Sequence, residues 1–282
     1  MELFNYLLEA HKKISTFFSS GSHKYSPKDL IRVRAEAFKL QAFGRVLKRA
    51  GNKSSDEGQM IRTLGDNLKS SAKFIEDSIG ELLHHMEMGE HFDNKKRVEE
   101  AELRFSIVKG DFEQHLDWIE KSLDLIKSLD LKPLYLSGLI KELKKLQGSV
   151  EDIDPELLED GTHELRRKLR WAIMHVIYPK GLFKYKESRP KTTVFTKLTK
   201  VKEIDPIVIS FDSIDFLSTS VFDLGEVKDE GLIENYSKTK SEINSSKPHI
   251  VDLTKTILAD LKRNKSLKTL RKEIKEQIEE LG

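Results

Sequence analysis

The residues best placed to do chemistry lie between Thr162 and Ile173, in the run THELRRKLRWAI. At about 100° per residue, His163, Arg166, Arg167, Arg170 and Met174 share one helix face. Leu165, Leu169, Ala172, Ile173 and Val176 share another, so one side belongs in a core. Guanidiniums at this spacing repel one another unless an anion or an acidic side chain neutralises them. Each is a planar fork matched to phosphate or carboxylate oxygens. A histidine beside a bound anion holds its proton more readily and can donate to it. The chemistry on offer is anion binding, or else pairing with acidic helices of the same chain such as the one carrying Glu99, Glu100 and Glu102.

Other constellations are less complete. Glu81, His84, Glu87 and His91 span an arc of about 120° on one helix. Glu-x-x-His is the spacing of di-iron carboxylate bundles, which need a second copy and two further glutamates on facing helices. The sequence has no second copy, and Gly89 is expected to break the helix before His91. These residues therefore read as a solvated helix end, and no metal or cofactor is assigned. Without Gly-x-Ser-x-Gly, a phosphate-binding Gly-rich loop or His-Glu-x-x-His, no enzyme activity is read. His175 lies near the apolar side of its helix and reads as packed, and Trp118 and Trp171 stand among Leu and Ile at core spacing. No helix-turn-helix, RRM-like or zinc signature points to nucleic acid, although any phosphate chain suits Arg and Lys.

The charge distribution fits an anion partner. The net charge of the 282 residues is only +2. Residues 163–202 nevertheless carry 12 Lys/Arg against Glu164 and Glu187, and residues 23–53 carry 9 against Asp29 and Glu36. Two basic segments thus sit in an otherwise acidic chain, a local field that the net figure hides. Cysteine is absent, which excludes disulfides, thiolate metal sites and a Cys nucleophile. The start, MELFN, lacks the regions of a signal peptide, and no apolar run is long enough to span a bilayer. A soluble, cytoplasmic protein with no membrane partner is expected.

The elements that must position these residues read as helices. Leu3, Tyr6, Leu7, Ala10, Ile14 and Phe17 recur at helical spacing over 2–19. Ser26-Pro27 starts a helix that Gly51-Asn52 stops. Residues 57–88 and 94–128 read as two long helices with a turn near Gly89, and Pro133 opens a short helix ending by Gly148. Asp154-Pro155 opens the next, closed by Pro179. Leu267, Leu270, Ile274, Ile278 and Leu281 form an apolar stripe over 265–281 that needs a partner surface. Residues 192–195 and 207–211 are β-branched and aromatic, and a short β-hairpin within 192–212 or an irregular connection fits them equally. Glu151–Pro155 is the best midpoint break, dividing the chain into helical halves 1–150 and 155–282. Each half has a basic helix followed by a Leu-Gly-acidic segment, Leu64-Gly65-Asp66 and Leu224-Gly225-Glu226, which suggests a duplicated unit.

His163-x-Leu165-Arg166-x-x-x-Arg170, with Leu224-Gly225-Glu226-Val227-Lys228-Asp229 further on, resembles the paired motifs of the CHAD family, the conserved-histidine α-helical domain. Leu64-Gly65-Asp66-Asn67-Leu68 is a looser match in the first half, where Asp29 stands in place of the histidine and Glu36 in place of a basic residue. The matched motifs cover about a tenth of the chain. The resemblance implies an all-α fold of two pseudo-symmetric helical-bundle halves. It also implies a non-catalytic module that binds inorganic polyphosphate in a basic cavity between the halves. Carried over residue by residue, it implies polyanion-binding roles for Arg32, Lys39, His163, Arg166 and Arg170, and Arg167 joins them from the shared helix face. The alternative is a helical scaffold or protein-interaction domain whose phosphate site has decayed.

Overall fold

The computed structural model describes residues 2–19, 25–91, 94–156, 158–179, 182–185, 207–209, 211–236 and 248–281. Over these residues the fold is all-α apart from one pair of three-residue strands. None of the described helices is long and apolar enough to cross a membrane. The helices are α1 (Glu2–Ser19), α2 (Pro27–Ala50), α3 (Asp56–His91), α4 (Lys95–Val108), α5 (Phe112–Ile126), α6 (Leu131–Glu151), α7 (Glu164–Ile177), α8 (Phe211–Tyr236), α9 (Pro248–Asn264) and α10 (Ser266–Leu281). A π-helical turn, Leu158–His163, leads into α7. The chain divides into two compact units, Met1–Gly138 and Leu139–Gly282. The division falls inside α6, upstream of the break expected at 151–155.

Unit 1 is built around α2 and α3. Ser26 caps α2: its Oγ accepts from the Asp29 N–H at 3.2 Å, and Pro27 takes the first helical position. Asp29 also places a negative charge in the first turn, where the helix dipole favours it. At the other end the Gly51 N–H reaches Leu47 O. The two helices run antiparallel at very close range, because Gly44 and Gly65 face each other. A Cβ on Gly65 would lie 2.3 Å from Lys48 N and 2.8 Å from Gly44 O. Phe112 anchors a second layer, with ring centroids of Phe18, Phe105 and Phe74 at 4.5, 5.7 and 5.8 Å. These rings tie together α1, α3, α4 and α5.

Several local expectations are corrected here. Gly89 does not break its helix: α3 continues to His91, and Gly89 is buried where a Cβ would sit 2.1 Å from Val98 Cγ2 of α4. It is a packing glycine. The helix expected over 94–128 is interrupted by a 3₁₀ turn at Lys109–Asp111. Trp118 is 42% exposed rather than core, because the buried stripe of α5 runs through Phe112, Ile119, Leu123 and Ile126 and leaves it on the flank. Trp171 and His175 are buried and stacked, as expected.

In unit 2, α7 packs on α8, and Leu165, Leu169, Ala172, Ile173 and Val176, the apolar side expected from periodicity, are buried. A buried hydroxyl pair, Thr162 and Thr254 at 2.7 Å, joins the π-helical turn to α9. The stripe Leu267, Leu270 and Ile274 is buried, with α10 against α8 and the strand Ile207–Ile209. That strand, β2, pairs in parallel with β1 (Phe183–Tyr185). The pair is therefore not a hairpin. Residues 192–195, the other arm considered for one, lie outside the described residues.

Candidate functional site

The cations of α2 expected to bind an anion are largely engaged within unit 1. Lys39 is 14% exposed and gives Nζ to Glu36 Oε2 at 2.7 Å, while lying 5.2 Å from the centre of the Tyr6 ring. Lys13 approaches the other oxygen of Glu36 at 3.6 Å. Hydrogen bonding to Glu9 is the main influence holding the Lys13 pKa above its ordinary value. Arg32 is 67% exposed, with Nη1 3.6 Å from Asp29 Oδ1. It stands on the rim of a groove between α1 and α2 where Lys12 and Lys13 alternate with Glu9, Asp29 and Glu36. Acids and bases balance there. Arg34, which the sequence reading passed over, is the arginine α2 commits to packing. Its Nε and Nη2 both reach Glu76 Oε1, at 2.8 and 2.6 Å, beneath the face of Phe38.

The α7 cluster is differently arranged. His163 is exposed, at the junction of the π-helical turn and α7. Arg166 turns towards α8, where Nε donates to Val221 O at 3.3 Å and the guanidinium lies over Gly225. A Cβ at Gly225 would stand 3.1 Å from Arg166 Nε and Nη2, so the glycine makes room for the arginine. Arg167 is 52% exposed and pairs with Glu164 at 2.6 Å. Lys168, which the sequence reading did not assign to the site, reaches the other oxygen of Glu164 at 2.7 Å. Its i,i+4 spacing from Glu164 was the available signal. Arg170 is half-buried on the next turn. Burial works to raise the Glu164 pKa, but hydrogen bonds and charge from Arg167 and Lys168 outweigh it and hold the carboxyl below its ordinary range. One carboxylate thus serves two cations, Arg167 and Lys168.

Burial along α2 and α7 also sets a register. Val33, Ala37 and Leu40 are buried, as are Leu165, Leu169 and Ala172. In that alignment of buried positions Arg34 falls opposite Arg166, and each lies against a glycine one helix on, Gly80 or Gly225. The two Leu-Gly-acidic segments hold different places. Gly65 meets Gly44 and Lys48 late in α2, whereas Gly225 meets Arg166 at the start of α7.

No group of three or more potential metal-binding carboxylates and histidines occurs among the described residues, and the His91 side chain lies outside them. His85 accepts from Arg97 Nε at 3.2 Å on Nδ1. Burial first, then the charge of Arg97, pushes its pKa below the ordinary value. No family model, curated protein or solved structure matches this chain.

Proposed function

We propose that the chain is a non-catalytic binding module for a polyanion of the inorganic polyphosphate type, held on the basic face of α7. The observation that carries this reading is the sharing of one carboxylate, Glu164, by two adjacent cations, Arg167 and Lys168, with Arg167 half exposed. Arg167 and His163 face solvent and supply the accessible donors. Phosphate oxygens would complete their coordination through charge-assisted bonds. The CHAD resemblance supports the same ligand. Arg32 and Lys39 contribute less than the resemblance implies, because acids of unit 1 already serve them. A cytoplasmic location is proposed with this reading.

A second reading, a helical scaffold without a phosphate ligand, is favoured by the Arg166 contact with α8 and by the part-buried Arg34–Glu76 pair. Both are basic residues used for packing. Titration with long-chain polyphosphate separates the two. The binding module gives saturable binding that weakens steeply with added salt, because counterions are released on binding. In that case Arg167→Ala lowers affinity about tenfold with the fold intact. Absence of binding at low salt removes the polyanion reading and leaves the scaffold.

A further inference from the structure

A different surface carries cations that no acid serves. In unit 2 the end of α6, the end of α9 and the start of α10 enclose a cleft of about 250 Å³. Its floor is apolar: Val150, Leu258, Leu261 and Leu267. Lys262, Lys265 and Lys268 line it and are exposed. None of the three ammonium groups has an ion-pair or hydrogen-bond partner among the described residues. Glu151 is the one acid in the lining, and its Oε1 accepts from Gln147 Nε2 at 3.2 Å.

We infer that this cleft docks an acidic protein segment carrying a single apolar anchor residue. Charge complementarity is the first argument. Three lysines within seven residues repel one another, and carboxylates relieve that repulsion best beside an apolar floor, where water screens less. Size is the second. The cleft is smaller than the roughly 300–1,000 Å³ of small-molecule pockets, and it suits one aliphatic or aromatic side chain. The third is the spacing of the cations over three backbone elements: Lys262 on α9, Lys265 in the turn and Lys268 on α10. Separate carboxylates along a chain match that distribution, as in peptide recognition by a groove with apolar anchor points.

Lys265 is the one non-glycine residue at positive φ among those described, at 50°, in the position after a helix where glycine is the usual occupant. That backbone conformation turns the chain between α9 and α10 at the cleft that Lys265 lines.

The inference does not depend on the α7 reading, and its test keeps them apart. The full chain is titrated, by fluorescence anisotropy, with a labelled peptide of glutamates around one leucine. The same peptide with serine replacing leucine, long-chain polyphosphate and phosphatidylglycerol vesicles are titrated alongside. The leucine peptide is expected to bind saturably, and the serine peptide about tenfold more weakly. Lys262→Glu with Lys268→Glu should remove the peptide affinity, and Arg167→Ala should leave it unchanged. Lys265→Gly should weaken peptide binding about threefold while leaving the melting temperature level or higher, so a loss there is not a loss of fold. Equal binding of both peptides overturns the anchor, and no peptide binding overturns the site. Vesicle binding abolished by the lysine reversal, with no peptide binding, replaces the proposal with a lipid surface. If polyphosphate binding alone fails, only the α7 reading falls.

Discussion

Arg34 and Arg167 belong to the two basic segments that composition treats alike, and truncating each should give opposite results. Arg34 gives one hydrogen bond, from Nε, and a second close ionic contact, from Nη2, to one oxygen of Glu76, whose side chain is 7% exposed, while its own is 33% exposed. Breaking a fully buried pair costs about 3–5 kcal/mol. Charge-assisted hydrogen bonds contribute about 1.5–3 kcal/mol. Water reaching the exposed third of Arg34 lowers the first figure towards the second, so Arg34→Ala should cost about 2–3 kcal/mol. At about 2–4 °C per kcal/mol for a chain of this size, the melting temperature should fall by roughly 5–10 °C. Arg167 is half exposed and pairs with its own helix at i,i−3, so Arg167→Ala should cost under about 1 kcal/mol. Thermal unfolding followed by circular dichroism reads both. A cycle with Glu76→Ala isolates the pair from the other neighbours of Glu76. Polyphosphate affinity should change with Arg167→Ala and not with Arg34→Ala. The reasoning fails if Arg34→Ala melts no lower than Arg167→Ala, or if it is the variant that loses the ligand.

Two further predictions concern stability alone. Gly65→Ala places a Cβ 2.3 Å from backbone of α2 that cannot yield, so it should cost about 2–3 kcal/mol, whereas Gly148→Ala, with nothing within 4 Å, should be neutral or stabilising by up to about 1 kcal/mol; urea unfolding compares them. Glu164 titrates lower in the folded chain than unfolded, so its contribution is complete above the unfolded carboxyl pKa of about 4.3 and is lost as pH falls through the folded value; Glu164→Gln should flatten the acid limb of a stability–pH curve, and an unaltered limb would contradict the Arg167 and Lys168 contacts.

The sequence made legible what is decided locally. Ser26-Pro27 starts α2, and the spacing of Leu7, Ala10 and Ile14 sets the buried side of α1. The buried face of α7 followed the same periodicity. Gly89 was misread because a glycine inside a helix can be a stop or a close contact, and only the presence of Val98 opposite decides it. Helices α8 and α9 received no assignment. The β-branched and hydroxylated run around 207–220 weakens helix propensity, and burial of Ile214, Leu217 and Leu224 overrides it. The candidate site was legible as a set of residues and not as a surface. A helical wheel puts Arg166 beside Arg167, but α8 lies along one edge of that wheel and takes Arg166.

Counting charge along a chain therefore gives an upper bound on a binding field, and packing subtracts from it unequally. In unit 1 the subtraction is nearly complete around α2: Arg34 goes to Glu76, Lys39 to Glu36, and Lys48 to Asp66, 2.7 Å away. Asp66 is held below its ordinary pKa chiefly by the hydrogen bond from Lys48, as a satisfied pair requires. On α7 one carboxylate is divided between Arg167 and Lys168, and the subtraction is partial. At Lys262, Lys265 and Lys268 no acid among the described residues intervenes. The ordering by unserved charge thus runs opposite to the ordering by motif. The segment with the strongest sequence signature keeps part of its field, and the lysines with no signature keep all of theirs. An anion that reads charge alone is drawn to both surfaces. One that also carries an apolar group is drawn to the α9–α10 cleft, because there the unpaired cations border a floor of leucines.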